Sequence, residues 1–394
     1  MSGGVGAAPA GGARGSVCFH AQYAWPLFTG GRLEFTGGAE VQQVALARGL
    51  ARRGFSVRLV TCDYGQPARI EVDGILVFRA FRPHAGLPVA RFFHPRLTRT
   101  VAALSAADAE VYYVRGSGFA AGLTHDVARL RRAAFVLGAA HDFDARRSLP
   151  LQDNPRDRWW YRRALRGADA VVAQTEVQRR LFADEFGRAS EVIPNLVEPP
   201  AAPVDAGQDG AVVWLATYKA AKRPEWFLEL ARRLPRRRFV MCGVIPIPPL
   251  TRESWEEARR AADACPNLEV RGFVDHARLG ELFAGASLFV HTSPAEGFPN
   301  IVLEAWAHAV PTVTAVDPDG IVAREAPGEV AHDLPALVAA VERLMADPAA
   351  RRAAGSRARA YVLAHHAPEA VLDRFATLLD RLVAVARARH GRRG

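Results

Sequence analysis

Lysine is almost missing from this chain. Among 51 lysines and arginines, two are lysine, Lys219 and Lys222, three residues apart in one stretch. A sequence that uses arginine everywhere else points there to a demand for a compact point charge in place of a planar fork. Cysteine is scarce too. Cys18, Cys62, Cys242 and Cys265 are widely scattered, which excludes a disulfide framework or a zinc ribbon and predicts free thiols in a reducing cytosol. No stretch approaches the ~18 consecutive apolar residues of a membrane span. The first fifteen residues, MSGGVGAAPAGGARG, have no apolar h-region and do not read as a secretory signal. The formal charge of +10 calls for an anionic partner, but no nucleic-acid module signature accompanies the arginines, so nucleic acid is not expected.

What is present is ample apolar material, 49% of 394 residues, enough for two cores of ordinary size. Short β-branched or apolar runs alternate with longer helical patterns, the sign of parallel α/β sheets. Strands are predicted over Ser16 to His20, Ser56 to Thr61, Val111 to Val114, Ala134 to Leu137, Ala170 to Ala173 and Glu191 to Ile193, with helices over Ala39 to Arg53, Phe119 to Arg131 and Glu176 to Phe186. EPPAAPVDAGQDG, from Glu198 to Gly210, reads as a linker. The alternation then restarts at Ala211 to Leu215, Phe239 to Gly243, Leu268 to Arg271, Ala286 to His291 and Thr312 to Ala315. The expected organisation is a flexible 1–15, a doubly wound domain over 16–200, a linker over 201–210, a second doubly wound domain over 211–370, and a final helix with a basic tail over 371–394. The cleft between two such domains is the expected site.

The most informative segment is Ser293 to Thr314, SPAEGFPNIVLEAWAHAVPTVT. An apolar strand leads to Glu296-Gly297-Phe298-Pro299, and Pro299 fits the first position of a helix. The unpaired N–H groups of Asn300, Ile301 and Val302 would then offer a phosphate site. Glu296 sits before that helix and Glu304 about one and a half turns into it, at ~3.6 residues per turn. Carboxylates beside a phosphate site suit vicinal hydroxyls, and a diphosphate flanked by two diol-bearing groups describes a sugar nucleotide. On spacing alone a surface loop with a solvated Glu304 stays open.

The strand, the Glu-Gly-Phe-Pro loop and the Glu-x7-Glu spacing resemble the donor site of the family 4 retaining glycosyltransferases, from about Val17 to Leu382. The resemblance implies an α/β GT-B fold, two Rossmann-like domains facing across a cleft, with a final helix that returns to the first domain. It implies a hexosyltransferase that moves a sugar from a nucleoside diphosphate to a hydroxyl on a glycan, lipid-linked or small-molecule acceptor. A front-face mechanism without metal or resident cofactor is the family expectation, with a cytoplasmic location.

The remaining constellations are read beside that resemblance. Gly37-Gly38 opens a helix, where a backbone can approach a ligand closely, and in the resembled family this loop meets the donor phosphate or the acceptor. His141-Asp142 follows a strand at the end where such sheets place ligands; His141 would lie beside the transferred sugar, and Asp142 would orient the imidazole or cap the next helix. Arg115 is similarly placed. In the Thr217-to-Lys222 loop the family carries an arginine and a lysine five apart on the diphosphate; Lys222 fits the second, Thr217 departs from the first, and Lys219 would supply the missing charge. Glu304 would hold the ribose, and Glu296 with the amides of Gly297 and Phe298 the sugar. Gly4-x-Gly6 lacks the strand–turn–helix context of a dinucleotide site. Asp317-Pro318-Asp319-Gly320 reads as a turn rather than a metal site, with Gly320 near the sugar by its family position. Trp159-Trp160-Tyr161 among Arg156, Arg158, Arg162 and Arg163 fits a helix with its aromatics in the core; contact with an anionic membrane face is the other reading. A sugar-nucleotide epimerase of the same fold, or a non-catalytic sugar-nucleotide binder, are the alternatives to a transferase.

Overall fold

Strands with no polar alternation must be covered on both faces, and covered strands form parallel sheets with helices on either side. The computed structural model obeys this twice. It describes residues 14–30, 37–83, 85–86, 92–203, 210–244, 256, 259–260 and 262–391; the loops over 22–36 and 81–95, the linker, the basic tail and the Gly4 motif fall partly or wholly outside these residues. The first sheet contains β1 (Ser16–His20), β2 (Ser56–Thr61), β3 (Arg69–Val72), β4 (Ile75–Arg79), β5 (Val111–Arg115), β6 (Ala134–Gly138), β7 (Ala170–Ala173) and β8 (Glu191–Val192), in the order β3-β4-β2-β1-β5-β6-β7-β8. All neighbours are parallel except β3 and β4. That antiparallel pair was not predicted from the sequence. It turns on Asp73-Gly74, both at positive φ, a two-residue signal that fits a hairpin.

The second sheet contains β9 (Ala211–Thr217), β10 (Phe239–Val244), β11 (Leu268–Arg271), β12 (Ala286–His291), β13 (Thr312–Thr314) and β14 (Gly328–Val330), all parallel, in the order β11-β10-β9-β12-β13-β14. β14, three residues long and half-buried, also escaped prediction. Each sheet has apolar clusters packed against it, such as Phe19, Tyr113 and Phe375 in the first domain and Trp214, Phe227 and Phe239 in the second. All four cysteines are free and buried.

Four helices position the site and hold the domains together: α1 (Gly38–Arg52), α2 (Glu176–Phe186), α3 (Asn300–Ala307) and α4 (Pro368–Gly391). α4 repeats apolar residues at helical spacing, Val371, Leu372, Phe375, Leu378, Leu379, Leu382, Val383 and Ala386, all buried. That stripe faces the first domain. Phe375 meets Tyr113 edge-on at 5.3 Å and stacks near Phe19 at 6.5 Å. Leu372 lies so close to Gly49 of α1 that a Cβ there would overlap the leucine methyls; only glycine permits this approach. Arg387 pairs with Glu110 at 2.6 Å, and Arg389 pairs with Asp169. The chain thereby leaves the second domain and builds its last helix into the core of the first. Among the described residues no helix is long and apolar enough to cross a membrane.

Candidate active site

The carboxyl ends of the two sheets point at each other. β5, β6 and β7 deliver Arg115, His141 and Gln174; β9 and β12 deliver Lys222 and Glu296. His141 opens a short 3-10 turn whose amides are held by Asp144, with Asp144 Oδ2 accepting from the N–H of Ala140 at 2.8 Å and of His141 at 3.0 Å. His141 Nδ1 accepts from the Phe143 N–H at 3.1 Å, which places the ring proton on Nε2; that N–H donates across the cleft to the Ala295 carbonyl at 3.2 Å. An imidazole of the first domain therefore abuts the residue before Glu296.

Glu296 is largely buried and is ion-paired to Lys222, with His291 Nε2 3.8 Å from the same oxygen. Burial alone would raise its carboxyl, but His291 and Lys222 outweigh burial and hold it far below the usual carboxylate range. His291 was not singled out from the sequence. It is the last residue of β12, and its Nδ1 lies 3.1 Å from Thr314 Oγ1. Lys222 thus binds the acid of the Glu296 loop, while Lys219 is exposed. Glu304 meets His276 Nε2 at 3.0 Å, and the Glu304 contact raises the imidazole above its ordinary value. Glu304 and His276 line a cavity of about 320 Å³ whose other wall is Pro26, Leu27, Gly30 and Gln42 of the first domain.

Several expected details are revised. Pro299 is the residue before α3, with φ −65° but extended ψ of 116°, so Asn300 is the first helical position. The Val302 N–H already donates to the Pro299 carbonyl at 3.1 Å; Asn300 and Ile301 keep the amides free of an acceptor among the described residues. Phe298 is not available as an amide donor to a sugar either, because its N–H donates to Gln174 Oε1 at 3.3 Å. Gly297 is packed so tightly on Gln178 that a Cβ would meet Nε2 at 2.6 Å.

At the start of α1, the Gly37 N–H donates to Glu40 Oε2 at 3.1 Å, so a carboxylate of the chain itself occupies the anion position expected there. Burial raises the Glu40 carboxyl, against the pull of its own N–H and the Gly37 N–H. Gly38 instead offers its carbonyl to Asn300 Nδ2 at 2.9 Å. Asp142 neither orients the imidazole nor caps the turn. It accepts from Gln178 Nε2 at 2.9 Å, and burial raises its carboxyl.

The group that draws these pieces together is Asn195, which sequence reasoning passed over because a lone asparagine after a strand carries no motif. Its side chain is buried. Nδ2 donates to Gln174 Oε1 at 3.1 Å, the Phe298 carbonyl at 3.2 Å and Asn300 Oδ1 at 2.7 Å, and Oδ1 accepts from Arg115 Nη2 at 2.5 Å. Arg115, whose Nε has no partner among the described residues, is thereby a prop of the loop over 297–300. The expected turn at Asp317 to Gly320 carries a second cross-domain contact: Asp319 accepts from the N–H groups of Glu176 at 2.7 Å and Val177 at 2.8 Å, capping α2 of the first domain. Among the described residues no group of three or more His, Cys, Asp or Glu is arranged to hold a metal ion.

Comparisons with known proteins agree with this architecture. The family described as Glycosyltransferase Family 4 matches residues 36–199, and that described as Glycosyl transferases group 1 matches residues 210–347. Among solved structures, sucrose-phosphate synthase from Thermosynechococcus elongatus is 20% identical with a TM-score of 0.77, covering 94% of this chain and 99% of its own. HepE from Anabaena, in complex with UDP and glucose, is 15% identical with a TM-score of 0.71, covering 93% and 99%. A glycosyltransferase from Rickettsia africae is 11% identical with a TM-score of 0.63, covering 93% and 98%. A sequence comparison with curated proteins finds no match.

Proposed function

Because the chain belongs to the family 4-type glycosyltransferases of GT-B fold, we propose that it transfers a sugar from a nucleoside diphosphate to an acceptor hydroxyl with retention, by a front-face route that needs no metal. The observation that carries this reading is the meeting of His141 with the Glu296 loop across the cleft, 3.2 Å from Nε2 to the Ala295 carbonyl. Glu296, held anionic between Lys222 and His291, is suited to accept hydrogen bonds from sugar hydroxyls. A carboxylate so strongly paired is a poor nucleophile, which favours front-face attack over a covalent intermediate.

Charge grows on the departing diphosphate as the anomeric bond breaks. Lys222, Lys219 and the free amides of Asn300 and Ile301 at the start of α3 are the groups to stabilise it. Lys222 then exchanges a carboxylate for a phosphate as the donor enters. Glu304, beside the cavity of about 320 Å³, would hold ribose hydroxyls in place of His276. His141, with its proton on Nε2, can donate to a sugar oxygen once that proton leaves Ala295. HepE has been solved with UDP and with UDP-glucose, which makes uridine diphosphate sugars the first donors to try.

The acceptor side belongs to the first domain. There the Trp-Trp-Tyr helix splits: Tyr161 is core, its hydroxyl donating to the Asp144 carbonyl at 2.7 Å, whereas Trp159 is 54% exposed and Phe93, which meets the Phe92 that packs on Trp160, is 65% exposed. With Arg156, Arg158, Arg162 and Arg163 around them, this face supports peripheral contact with anionic lipid and hence a lipid-linked acceptor. A panel of nucleoside-diphosphate sugars, with sugar and lipid acceptors and with and without chelator, tests the whole reading by nucleotide release and product anomeric configuration. Retained configuration and chelator-insensitive release are expected; inversion, or loss of activity with chelator, refutes the mechanism. Glu296→Ala should abolish transfer with the fold intact, and wild-type turnover in that variant would remove Glu296 from the site.

A further inference from the structure

Behind the donor loop, on the side of the chain crossing, lies a cavity of about 590 Å³ that the transferase reading does not use. Its walls come from α2, from the turn at Asp319, and from the junction of the last two helices. Phe298 and His366 form its floor, with ring centroids 4.9 Å apart. His366 is buried and pushed down to about 4 by burial, so it is neutral, and its Nδ1–H donates to the Asn195 carbonyl at 2.7 Å. The floor is therefore the reverse face of the segment that carries Glu296.

The rim is cationic and its charges are unequally matched. Arg179 is tied to Glu176 at 2.6 Å and Arg324 to Glu325 at 3.0 Å. Both acids of the wall are spent: Glu176 on Arg179, and Asp319 on the α2 amides. Arg180 and Arg374 also line the cavity, and neither has a carboxylate partner among the described residues. Arg374 is steadied by the Val192 carbonyl, which fixes the guanidinium without neutralising it. His365 lies against Tyr361, ring centroids 4.6 Å apart and tilted by 40°, giving an aromatic wall that suits a sugar or other ring. Two unneutralised guanidiniums, with their fixed forks, select phosphate oxygens.

We propose that this rear cavity is a second ligand site, which takes a phosphorylated small molecule of about the size of a sugar phosphate. Because both domains supply its walls, an occupant holds them at the angle seen here. The inference does not depend on the transferase reading, and the test keeps the two apart. Calorimetric titration of the full chain, saturated with UDP to occupy the front cleft, uses glucose 6-phosphate and inorganic pyrophosphate as soluble probes, and phosphatidic acid vesicles in a sedimentation arm. UDP binding is measured separately. One equivalent of a soluble probe should bind in the presence of UDP, and Arg180→Glu and Arg374→Gln should each weaken it about tenfold or more with thermal stability retained in Arg180→Glu. Absence of binding by both soluble probes, binding unaltered in both variants, or association with vesicles alone overturns the proposal.

Discussion

Replacing Asn195 by alanine should loosen the donor loop from the first domain, and the cost can be worked from the contacts. The variant leaves Arg115 Nη2 without the acceptor it has at 2.5 Å, and leaves the Phe298 carbonyl and Asn300 Oδ1 without their shared donor. Gln174 Oε1 keeps the Phe298 N–H at 3.3 Å, so it is not orphaned. A buried polar group stripped of its partner costs about 1–3 kcal/mol, with the higher end for charged groups. Taking one charged and two neutral groups at the low end of that range, because water can enter the space, gives about 3 kcal/mol. The backbone carbonyl of Asn195 still receives His366 Nδ1–H, so the chain crossing itself is preserved. The thermal midpoint of the full chain should fall by about 4 °C, at ~2.1 cal/mol/K of unfolding entropy per residue, and nucleotide binding should weaken with it as Gly297 to Asn300 lose their anchor. A loss under about 1 kcal/mol, or full donor affinity, would refute the view of Asn195 as the link between Arg115 and the loop.

Lys222→Met strands Glu296 with His291 alone, and a broken buried pair costs about 3–5 kcal/mol; the partial exposure of Lys222 brings the expected loss to about 2 kcal/mol in urea titrations near neutral pH. Because the Glu296 carboxyl lies below its unfolded value, its contribution is present above that unfolded value and fades as pH falls through the folded one; in Lys222→Met the fading should start at the same pH but be smaller and end at higher pH, and unchanged acid curves would contradict the pairing. His276 is raised by Glu304, so their contact is complete below the ordinary imidazole value and is lost as pH rises through the raised one. Nucleotide affinity should accordingly improve with pH on that side as Glu304 is released, and His276→Ala should flatten the profile. A slope that survives in His276→Ala would assign it elsewhere. Asp319→Ala should strip the acceptor from the first two α2 amides, leaving the Thr175 cap, at a cost of about 1 kcal/mol, and broaden the interdomain angle distribution in small-angle scattering, whereas an unchanged scattering profile would mean the contact does not set the angle.

How much of the fold and site was legible beforehand depended on how local the signal was. β1, β2, β7, β11 and α2 follow the expected ranges because apolar runs and flanking breakers are contiguous in the chain. The β3–β4 hairpin was legible in principle, through Asp73-Gly74 between EV and ILVF, but a parallel α/β pattern draws attention from a single antiparallel edge. Pro299 shows the limit of a rule. Its φ is what a first helical residue needs, yet ψ is free, and the loop that packs Gly297 on Gln178 pulls it to 116°.

By itself the sequence determined that two parallel sheets form, that a Glu-x7-Glu helix follows a buried strand, and that two lysines stand in one loop, since each of these rests on neighbours in the chain. Tertiary structure alone decided what those groups touch: Lys222 on Glu296, Glu40 in the anion position of Gly37, Asn195 between Arg115 and Asn300, Asp319 on α2. These contacts join residues far apart in sequence and depend on the distance between two domains, a quantity that no local period or spacing encodes.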